Sequence, residues 1–94
     1  MNNYEMIVIL KPNLEEELKK DVLQRLYDVI DEHGKLGEIE DWGNRKLAYE
    51  IQKLSEGNYV LINFEAEPSI IKELERRAQI TDQIIKYLVV NKES

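Results

Sequence analysis

The chain has 94 residues, of which 43% are hydrophobic and 34% are charged, and its formal net charge is −6 at pH 7. This size predicts one domain over residues 1–94 with a modest core, ordered from about residue 3 to about residue 91, and the composition excludes a disordered or collagen-like chain. No apolar run reaches the roughly 18 residues that a membrane-spanning helix needs. The sequence has no cysteine, which excludes disulfides, thiolate chemistry and cysteine-based zinc sites and fits a cytoplasmic protein.

The acidity is local. The segment Leu14–His33 holds seven of the 19 acidic residues and only three basic ones. The net charge is therefore a poor guide to what the other surfaces bind.

The first predicted element is a strand, Tyr4–Leu10, because this segment alternates and is rich in β-branched residues. The N-terminal residues lack the basic region and the small-residue cleavage site of a signal peptide. Pro12 ends the strand, since proline cannot donate a hydrogen bond to a sheet ladder.

A helix of about five turns follows up to His33. Asn13 suits the N-cap position, and Glu16 can complete a capping box with it. The apolar face recurs every three or four residues and comprises Leu14, Leu18, Val22, Leu26, Val29, Ile30 and His33. Gly34 suits the left-handed residue that ends a helix.

The next segment, Leu36–Lys53, reads as one long strand bent by a bulge at Gly43-Asn44, although two strands meeting there is an alternative. The sequence Ser55–Asn58 predicts a turn into the strand Tyr59–Ala66.

Pro68 or Ser69 opens a second helix. Its predicted buried stripe comprises Ile70, Ile71, Leu74, Ala78 and Ile80. Ile84–Val90 is the last predicted strand, and Asn91–Ser94 forms a frayed tail.

The resulting order is strand–helix–strand–strand–helix–strand. Both helices must bury an apolar stripe, and a four-stranded sheet offers one face for them. The prediction is therefore an α+β, ferredoxin-like βαββαβ fold, a four-stranded antiparallel sheet with two helices on one face.

The other face of that sheet is open. Strand periodicity turns six side chains toward the helices, namely Met6, Val8, Leu10, Val60, Ile62 and Phe64. The opposite set includes more Ile, Leu and Val than a solvated face needs, which predicts a partner-protein interface formed by Ile7, Ile9, Leu61, Leu88 and Val90. A homodimer contact, or a wrong assignment of the two faces, is the alternative.

The sequence offers no enzymatic constellation. The single histidine, His33, ends a helix, where it suits the dipole. Glu15, Glu16 and Glu17 are consecutive on a helix and point in different directions, so they make a poor metal site. No glycine-rich phosphate-binding motif occurs.

Basic residues accompany aromatic ones on the predicted strands. Arg45 and Lys46 lie near Tyr49, Lys86 precedes Tyr87, and four of the five tyrosines fall on strands. Cations suit phosphates and exposed rings suit unstacked bases, so this pattern favours RNA binding. Tyrosine also favours strands for structural reasons alone.

Several features occur in an order that is specific when taken together. They are Tyr4-Glu5 before an apolar strand, Pro12 before the first helix, the central Gly43–Ile51 (GNRKLAYEI), Gly57 with Tyr59 and Phe64, Pro68, Leu74, and Ile80-Thr81-Asp82 before the last strand. Up to about Lys92, the chain resembles the family of the sixth protein of the bacterial small ribosomal subunit.

This resemblance implies a ferredoxin-like, non-enzymatic protein that binds small-subunit (16S) ribosomal RNA in the platform region, together with the eighteenth small-subunit protein. Arg45 and Lys46 match the basic pair of the family, and Tyr4 matches its first-strand tyrosine. The expected RNA contacts are Tyr4, Arg45, Lys46, Tyr49, Tyr59, Lys86 and Lys92. No cofactor, metal, membrane or small-molecule substrate is expected, and the isolated chain is expected to be a monomer that binds RNA weakly until its partner joins.

Two other functions fit the same fold. One is a regulatory ligand-binding or self-associating module, which would use the apolar face between copies. The other is a small phosphate-ester hydrolase, which would need a phosphate-binding loop where this chain has only Lys11-Pro12-Asn13.

Overall fold

The computed structural model describes residues 1–93, and its helices and strands follow in the predicted order. The elements are β1 (Asn2–Leu10), α1 (Glu16–His33), β2 (Gly34–Ile51), β3 (Leu54–Ala66), a 3₁₀ turn (Pro68–Ile70), α2 (Ile71–Gln79) and β4 (Ile84–Asn91). All strand pairs are antiparallel, and the strand order is β2-β3-β1-β4. The ferredoxin-like fold is confirmed.

The core lies between the sheet and the two helices. The six side chains predicted to face the helices are all buried there, together with Leu26 and Ile30 of α1 and Leu74 of α2. Burying one such aliphatic side chain stabilises the fold by about 1.5–3 kcal/mol, so this layer is the main source of stability.

The start of α1 differs from the prediction. Asn13 has a φ of 62°, and Glu15 precedes the helix without a side-chain cap. Asn13 therefore lies in the turn before the helix, and the predicted capping box is wrong.

The end of α1 also differs. Gly34 has a φ of −169°, which is extended, and it is the first residue of β2. A glycine is needed here for another reason, because a Cβ would lie 2.2 Å from the carbonyl oxygen of Glu65. Within α1, Leu18 and His33 are exposed although they were placed on the buried face, and Leu23 is buried instead.

β2 is one long bent strand, as predicted. Its register with β3 shifts at three places, and the shift between Asp41 and Gly43, where Gly43 has a φ of 74°, begins just before the predicted bulge at Gly43-Asn44. A β-bulge with glycine in the left-handed region bends a strand in this way.

The hairpin turn between β2 and β3 lies earlier than predicted. Ile51 pairs with Leu54 across the two turn residues Gln52 and Lys53, both of which have positive φ. The predicted turn at Ser55–Asn58 is wrong, since this segment is part of β3.

The C-terminal part follows the prediction closely, with one exception. Ile80 is 62% exposed, because α2 ends at Gln79 and no longer turns this side chain toward the core. In the segment predicted to be a frayed tail, the Lys92 amide donates to the Asn3 carbonyl and the Asn3 amide donates to Glu93. Ser94 lies outside the described residues.

Neither helix of the described chain is long and apolar enough to cross a membrane. Residues 1–93 also contain no group of three or more acidic, histidine or cysteine side chains placed to hold a metal ion.

Candidate nucleic-acid interface

The β2–β3 hairpin extends beyond the rest of the sheet. β1 ends at Leu10, which pairs with Asn58, so the segment Arg45–Gly57 continues as a two-stranded arm. This arm bends over the open face, because the hydroxyl of Tyr49 accepts a hydrogen bond of 2.9 Å from Nζ of Lys86 on β4, at the opposite edge of the sheet.

Gly57 permits the close approach of the arm. A Cβ at this position would lie 2.4 Å from Cγ2 of Ile9 and 3.4 Å from Cδ1 of Ile85. Ile9 is buried although it belongs to the open face, since the arm lies on it.

The bulge in β2 presents an aromatic and cationic cluster, which we call the bulge stack, formed by Trp42, Arg45 and Tyr59. The rings of Trp42 and Tyr59 stack at a centroid distance of 6.5 Å with 13° between their planes. The guanidinium of Arg45 lies 5.8 Å from the Trp42 ring, and its Nε donates to the Trp42 carbonyl at 3.3 Å. Trp42 is nevertheless 41% exposed, so the stack combines a charge with an accessible π-face.

Hydrogen bonds to Asp41 hold the bulge. Oδ1 of Asp41 accepts from the Gly43 amide at 2.9 Å and from Nδ2 of Asn58 at 3.1 Å, and Oδ2 pairs with Nζ of Lys19 from α1. Partial burial raises the pKa of this carboxyl, but the hydrogen bonds from Lys19, Gly43 and Asn58 outweigh it, so the pKa of Asp41 lies below its ordinary value.

A second cationic and aromatic pair lies on the arm side of the open face. Nζ of Lys86 is 5.2 Å from the centroid of the Tyr49 ring as well as bonded to its hydroxyl. That hydrogen bond raises the pKa of Lys86 above its ordinary value.

Five of the predicted RNA contacts lie in the arm, the bulge stack or the open face beside them, namely Arg45, Lys46, Tyr49, Tyr59 and Lys86. Lys92 is exposed, but it bonds to Asn63 at 2.9 Å and lies at the far end of β1 from the arm. The structure therefore does not bring Lys92 together with the others.

Tyr4 needs a correction. It is only 5% exposed and lies on the core face of β1, where its ring stacks on Phe64 with centroids 5.5 Å apart. Such a ring cannot stack on a base while the protein is folded, so Tyr4 is removed from the predicted RNA contacts.

The five residues of the predicted partner interface differ in exposure. Leu88 and Val90 on the edge strand β4 are 54% and 42% exposed, and Ile7 is half-buried. Ile9 and Leu61 are both buried within the chain, so they can support this surface but offer little area of their own.

Lys53 is an exposed cation at the tip of the arm, whereas the arginines of α2 are engaged within that helix. Nε of Arg77 and of Arg76 donate to Glu73 at 2.7 Å and 3.2 Å within α2. These hydrogen bonds lower the pKa of Glu73. The acidic surface of α1 lies on the helix side of the sheet, away from the open face.

Trp42, Asp41 and Asn58 were missed by the sequence analysis. Trp42 beside a predicted glycine bulge was a usable signal, because a bulge turns its neighbours out of the regular alternation. Nothing in the sequence indicated that Asn58 belongs to this site, because the segment Ser55–Asn58 was predicted to be a turn.

Comparison with known proteins finds relatives that match nearly the whole chain. The family model of ribosomal protein S6 matches residues 3–91. The small ribosomal subunit protein bS6 of Clostridium novyi is 47% identical over 94 residues, covering 99% of both chains, and that of Alkaliphilus oremlandii is 42% identical over 93 residues, also covering 99% of both.

A solved structure agrees as well. The crystal structure of 30S ribosomal protein S6 from Thermotoga maritima superposes with a TM-score of 0.90 at 34% identity, covering 98% of this chain and 88% of that one. A family model and close relatives that span nearly the whole sequence leave one assignment: the chain belongs to the ribosomal protein S6 family.

Proposed function

We propose that the chain binds small-subunit (16S) ribosomal RNA through the arm and the bulge stack, and that it does so together with the eighteenth small-subunit protein. The family consists of structural proteins of the small ribosomal subunit, which are cytoplasmic and not enzymes.

The bulge stack carries the RNA half of the proposal. Trp42, Tyr59 and Arg45 place an exposed π-face next to a cation, and Lys46 adds a second exposed charge to the arm. Cations fix the phosphate backbone, and aromatic faces accept unpaired bases. The stack is built from side chains that already contact one another, so little side-chain entropy is lost when RNA binds.

The edge strand β4 supports the partner half. Leu88 and Val90 expose apolar area beside Ile7, and Lys86 links this region to the arm through Tyr49. A partner that docks here would adjoin the RNA-binding arm and could contact the same RNA. Shared contacts of this kind make the binding of the two ligands mutually favourable.

The test is a titration of 16S ribosomal RNA of Clostridium novyi at physiological salt, with and without the eighteenth small-subunit protein of that organism. We expect weak binding without the partner and stronger binding with it. Equal affinity in both titrations would contradict the cooperative part of the proposal.

Arg45→Ala and Lys46→Ala should each weaken RNA binding, since each removes a cation from the arm, while leaving the thermal midpoint nearly unchanged. Lys72→Ala is the matched control, because Lys72 is an exposed cation on α2 behind the sheet. An equal loss in all three variants would point to nonspecific attraction rather than to this surface.

Self-association is a second candidate function of this exposed edge. β4 has a neighbouring strand on one side only, so Leu88 and Val90 could join two copies of the chain edge to edge. We propose that the isolated chain is a monomer, because Lys86 places a charge in the middle of this edge. Sedimentation velocity over a hundredfold range of concentration would show a single unchanging species, whereas a concentration-dependent dimer would favour the self-associating module.

A further inference from the structure

Asp41 joins three separate parts of the chain at one carboxylate. Its Oδ1 binds the amide of Gly43 within β2 and the side chain of Asn58 in β3, and its Oδ2 binds Lys19 of α1. Asn58 is buried, and the side chain of Lys19 is only 16% exposed. These contacts tie the bulge both to the neighbouring strand and to the helix behind the sheet.

The residues that follow Asp41 depend on this tie. Gly43 adopts a φ of 74°, and a Cβ there would meet no atom within 4 Å, so packing does not impose the conformation. The hydrogen bond of 2.9 Å from the Gly43 amide to the Asp41 carboxylate is a local constraint that favours it. Trp42 lies between these two residues, so its orientation depends on the path of the bulge as well as on the hydrogen bond of 3.3 Å from its Nε1 to Oε1 of Glu40.

A second tie acts from the other side of the bulge. Nδ2 of Asn44 donates to Oδ1 of Asn13 at 3.3 Å, in the turn before α1. The helix start and the bulge therefore form a shared polar groove, and Trp42 and Asp41 lie along it.

We propose that Asp41 is a positioning residue that fixes the bulge, so that Trp42 stays stacked on Tyr59 and beside Arg45 as a preformed surface for an unpaired RNA base. This inference rests on the RNA binding proposed above and adds Trp42 as the base-stacking residue. Asp41 itself carries the wrong charge to touch phosphate and acts only through its neighbours.

Because Asp41 is acidic, an electrostatic effect and a positioning effect of this residue predict opposite changes in RNA affinity. Removing an acidic side chain near an RNA surface should strengthen RNA binding if only electrostatics mattered. If Asp41 positions Trp42, the change in affinity has the opposite direction. Asp41→Ala should then weaken RNA binding about tenfold, which is the loss expected when one stacked base is released. Glu38→Ala is the control, because it removes the same charge from the same strand outside the bulge.

Asp41→Asn separates geometry from charge. It loses the same charge as Asp41→Ala but keeps an oxygen that can accept from Gly43 and Asn58, so it should retain most of the affinity. Equal affinities of the two variants for 16S ribosomal RNA of Clostridium novyi, measured with the eighteenth small-subunit protein present, would overturn the positioning role.

Trp42 supplies a readout that does not need RNA, since it is the only tryptophan. Acrylamide quenching of its fluorescence should increase in Asp41→Ala, remain close to the wild-type value in Asp41→Asn, and be unchanged in Glu38→Ala. Unchanged quenching in Asp41→Ala would overturn the inference whatever the RNA titration gives. Failure of the wild-type chain to bind RNA would instead contradict the proposed function, and quenching would still decide whether Asp41 positions Trp42.

Asn58→Ala is the second variant, in case Asp41→Ala does not fold. It removes a hydrogen bond that Asp41→Asn keeps, the one from Asn58 Nδ2 to Oδ1 of Asp41, and leaves the sequence of β2 intact. Increased quenching of Trp42 supports the inference, and unchanged quenching contradicts it.

Discussion

At the scale of single residues, the position of Tyr4 in the sequence fits either an RNA contact or a core residue, whereas in the structure it is a core residue. Its ring packs on Phe64 inside the core, and its hydroxyl has only a long contact of 3.4 Å from Asn2. Tyr4→Phe should therefore change neither stability nor RNA binding. Tyr4→Ala should lower the free energy of unfolding by about 3–5 kcal/mol, as for other buried aromatic residues, in urea denaturation. A stable Tyr4→Ala chain that has lost RNA affinity would restore the tyrosine as an RNA contact.

The carboxylate of Asp41 should make part of the stability depend on pH. Its pKa in the folded chain lies below the ordinary value of 3.8, because the ionised form accepts three hydrogen bonds. The stabilisation is therefore present above about pH 3.8 and is lost as the pH falls through the lower folded pKa. The difference in thermal midpoint between wild type and Asp41→Asn should be constant near neutral pH and shrink below about pH 4. A difference that stays constant down to pH 2 would contradict this assignment.

The exposure of Arg45 and Lys46 could be predicted from the sequence, because charged side chains on a strand that extends beyond the sheet stay at the surface. Trp42 and Asp41 could not be assigned, since their partners Tyr59, Asn58 and Lys19 come from other elements and depend on a register that the pattern does not fix.

At the scale of elements, the β2–β3 turn carries strain that a substitution can remove. Gln52 and Lys53 both have positive φ, a conformation that costs a residue with a side chain roughly 1–2 kcal/mol and glycine almost nothing. Lys53→Gly should raise the free energy of unfolding by about 0.5–1 kcal/mol. This net gain is smaller than the strain that is relieved, because glycine also increases the conformational entropy of the unfolded chain. Lys53→Ala is the control for the lost charge and should give no such gain in urea denaturation.

The approach of the arm to the sheet should be sensitive to one methyl group. Gly57→Ala would place a Cβ against the stiff side chain of Ile9 and should destabilise the chain by about 1–3 kcal/mol. In an Ile9→Ala background the same change should cost less, because the colliding methyl is gone. A double-mutant cycle measures this coupling, and additive losses would show that the arm does not rest on Ile9.

The positions of helices and strands were predictable where the apolar periodicity was strong. They were less predictable where the preferences of turn residues had to locate the end of a strand. The strands β1 and β4 followed from their apolar patterns, and so did the burial of Leu74 and Ala78 on α2, although not that of Ile80. The hairpin turn did not, because Ser55–Asn58 contains the residues that turns prefer, whereas Gln52-Lys53 does not. Gly57 is needed because a side chain there would collide with Ile9. In the sequence, however, this glycine suggested a turn.

At the scale of the whole molecule, charge is distributed unevenly over the two sides of the sheet. Helix α1, behind the sheet, has six acidic side chains against three basic ones, whereas the arm has three basic side chains, Arg45, Lys46 and Lys53, against two acidic ones. An acidic protein can therefore offer a cationic surface, because exposed charges more than about 10 Å apart are largely screened at 0.1 M salt.

This distribution predicts how RNA affinity depends on salt. Each cation in contact with phosphate contributes about 0.7–0.9 to the slope of log affinity against log salt. The double change Arg45→Ala with Lys46→Ala should lower that slope by about twice this amount. Asp31→Asn with Glu32→Gln, at the C-terminal end of α1, should leave the slope nearly unchanged, because neither side chain contacts phosphate. Equal changes in slope for both double variants would show that net charge, not the arm, governs binding.

The overall architecture followed from the sequence because both helices have a single apolar stripe and the strand order allows only a few antiparallel arrangements. The path of the arm over the open face did not follow, since it depends on contacts of Tyr49 with Lys86 and of Gly57 with Ile9 that are long-range in sequence.

The central place of β1 has a consequence for biosynthesis. The first strand made is flanked by β3 on one side and by β4, the last strand made, on the other, and Lys92 closes this pairing on Asn3. A nascent chain therefore keeps one edge of its first strand unpaired until Ile84–Asn91 has left the exit tunnel. Until β4 emerges the four-stranded sheet is incomplete, so the order of the elements makes the surface of the sheet one of the last parts of this fold to form.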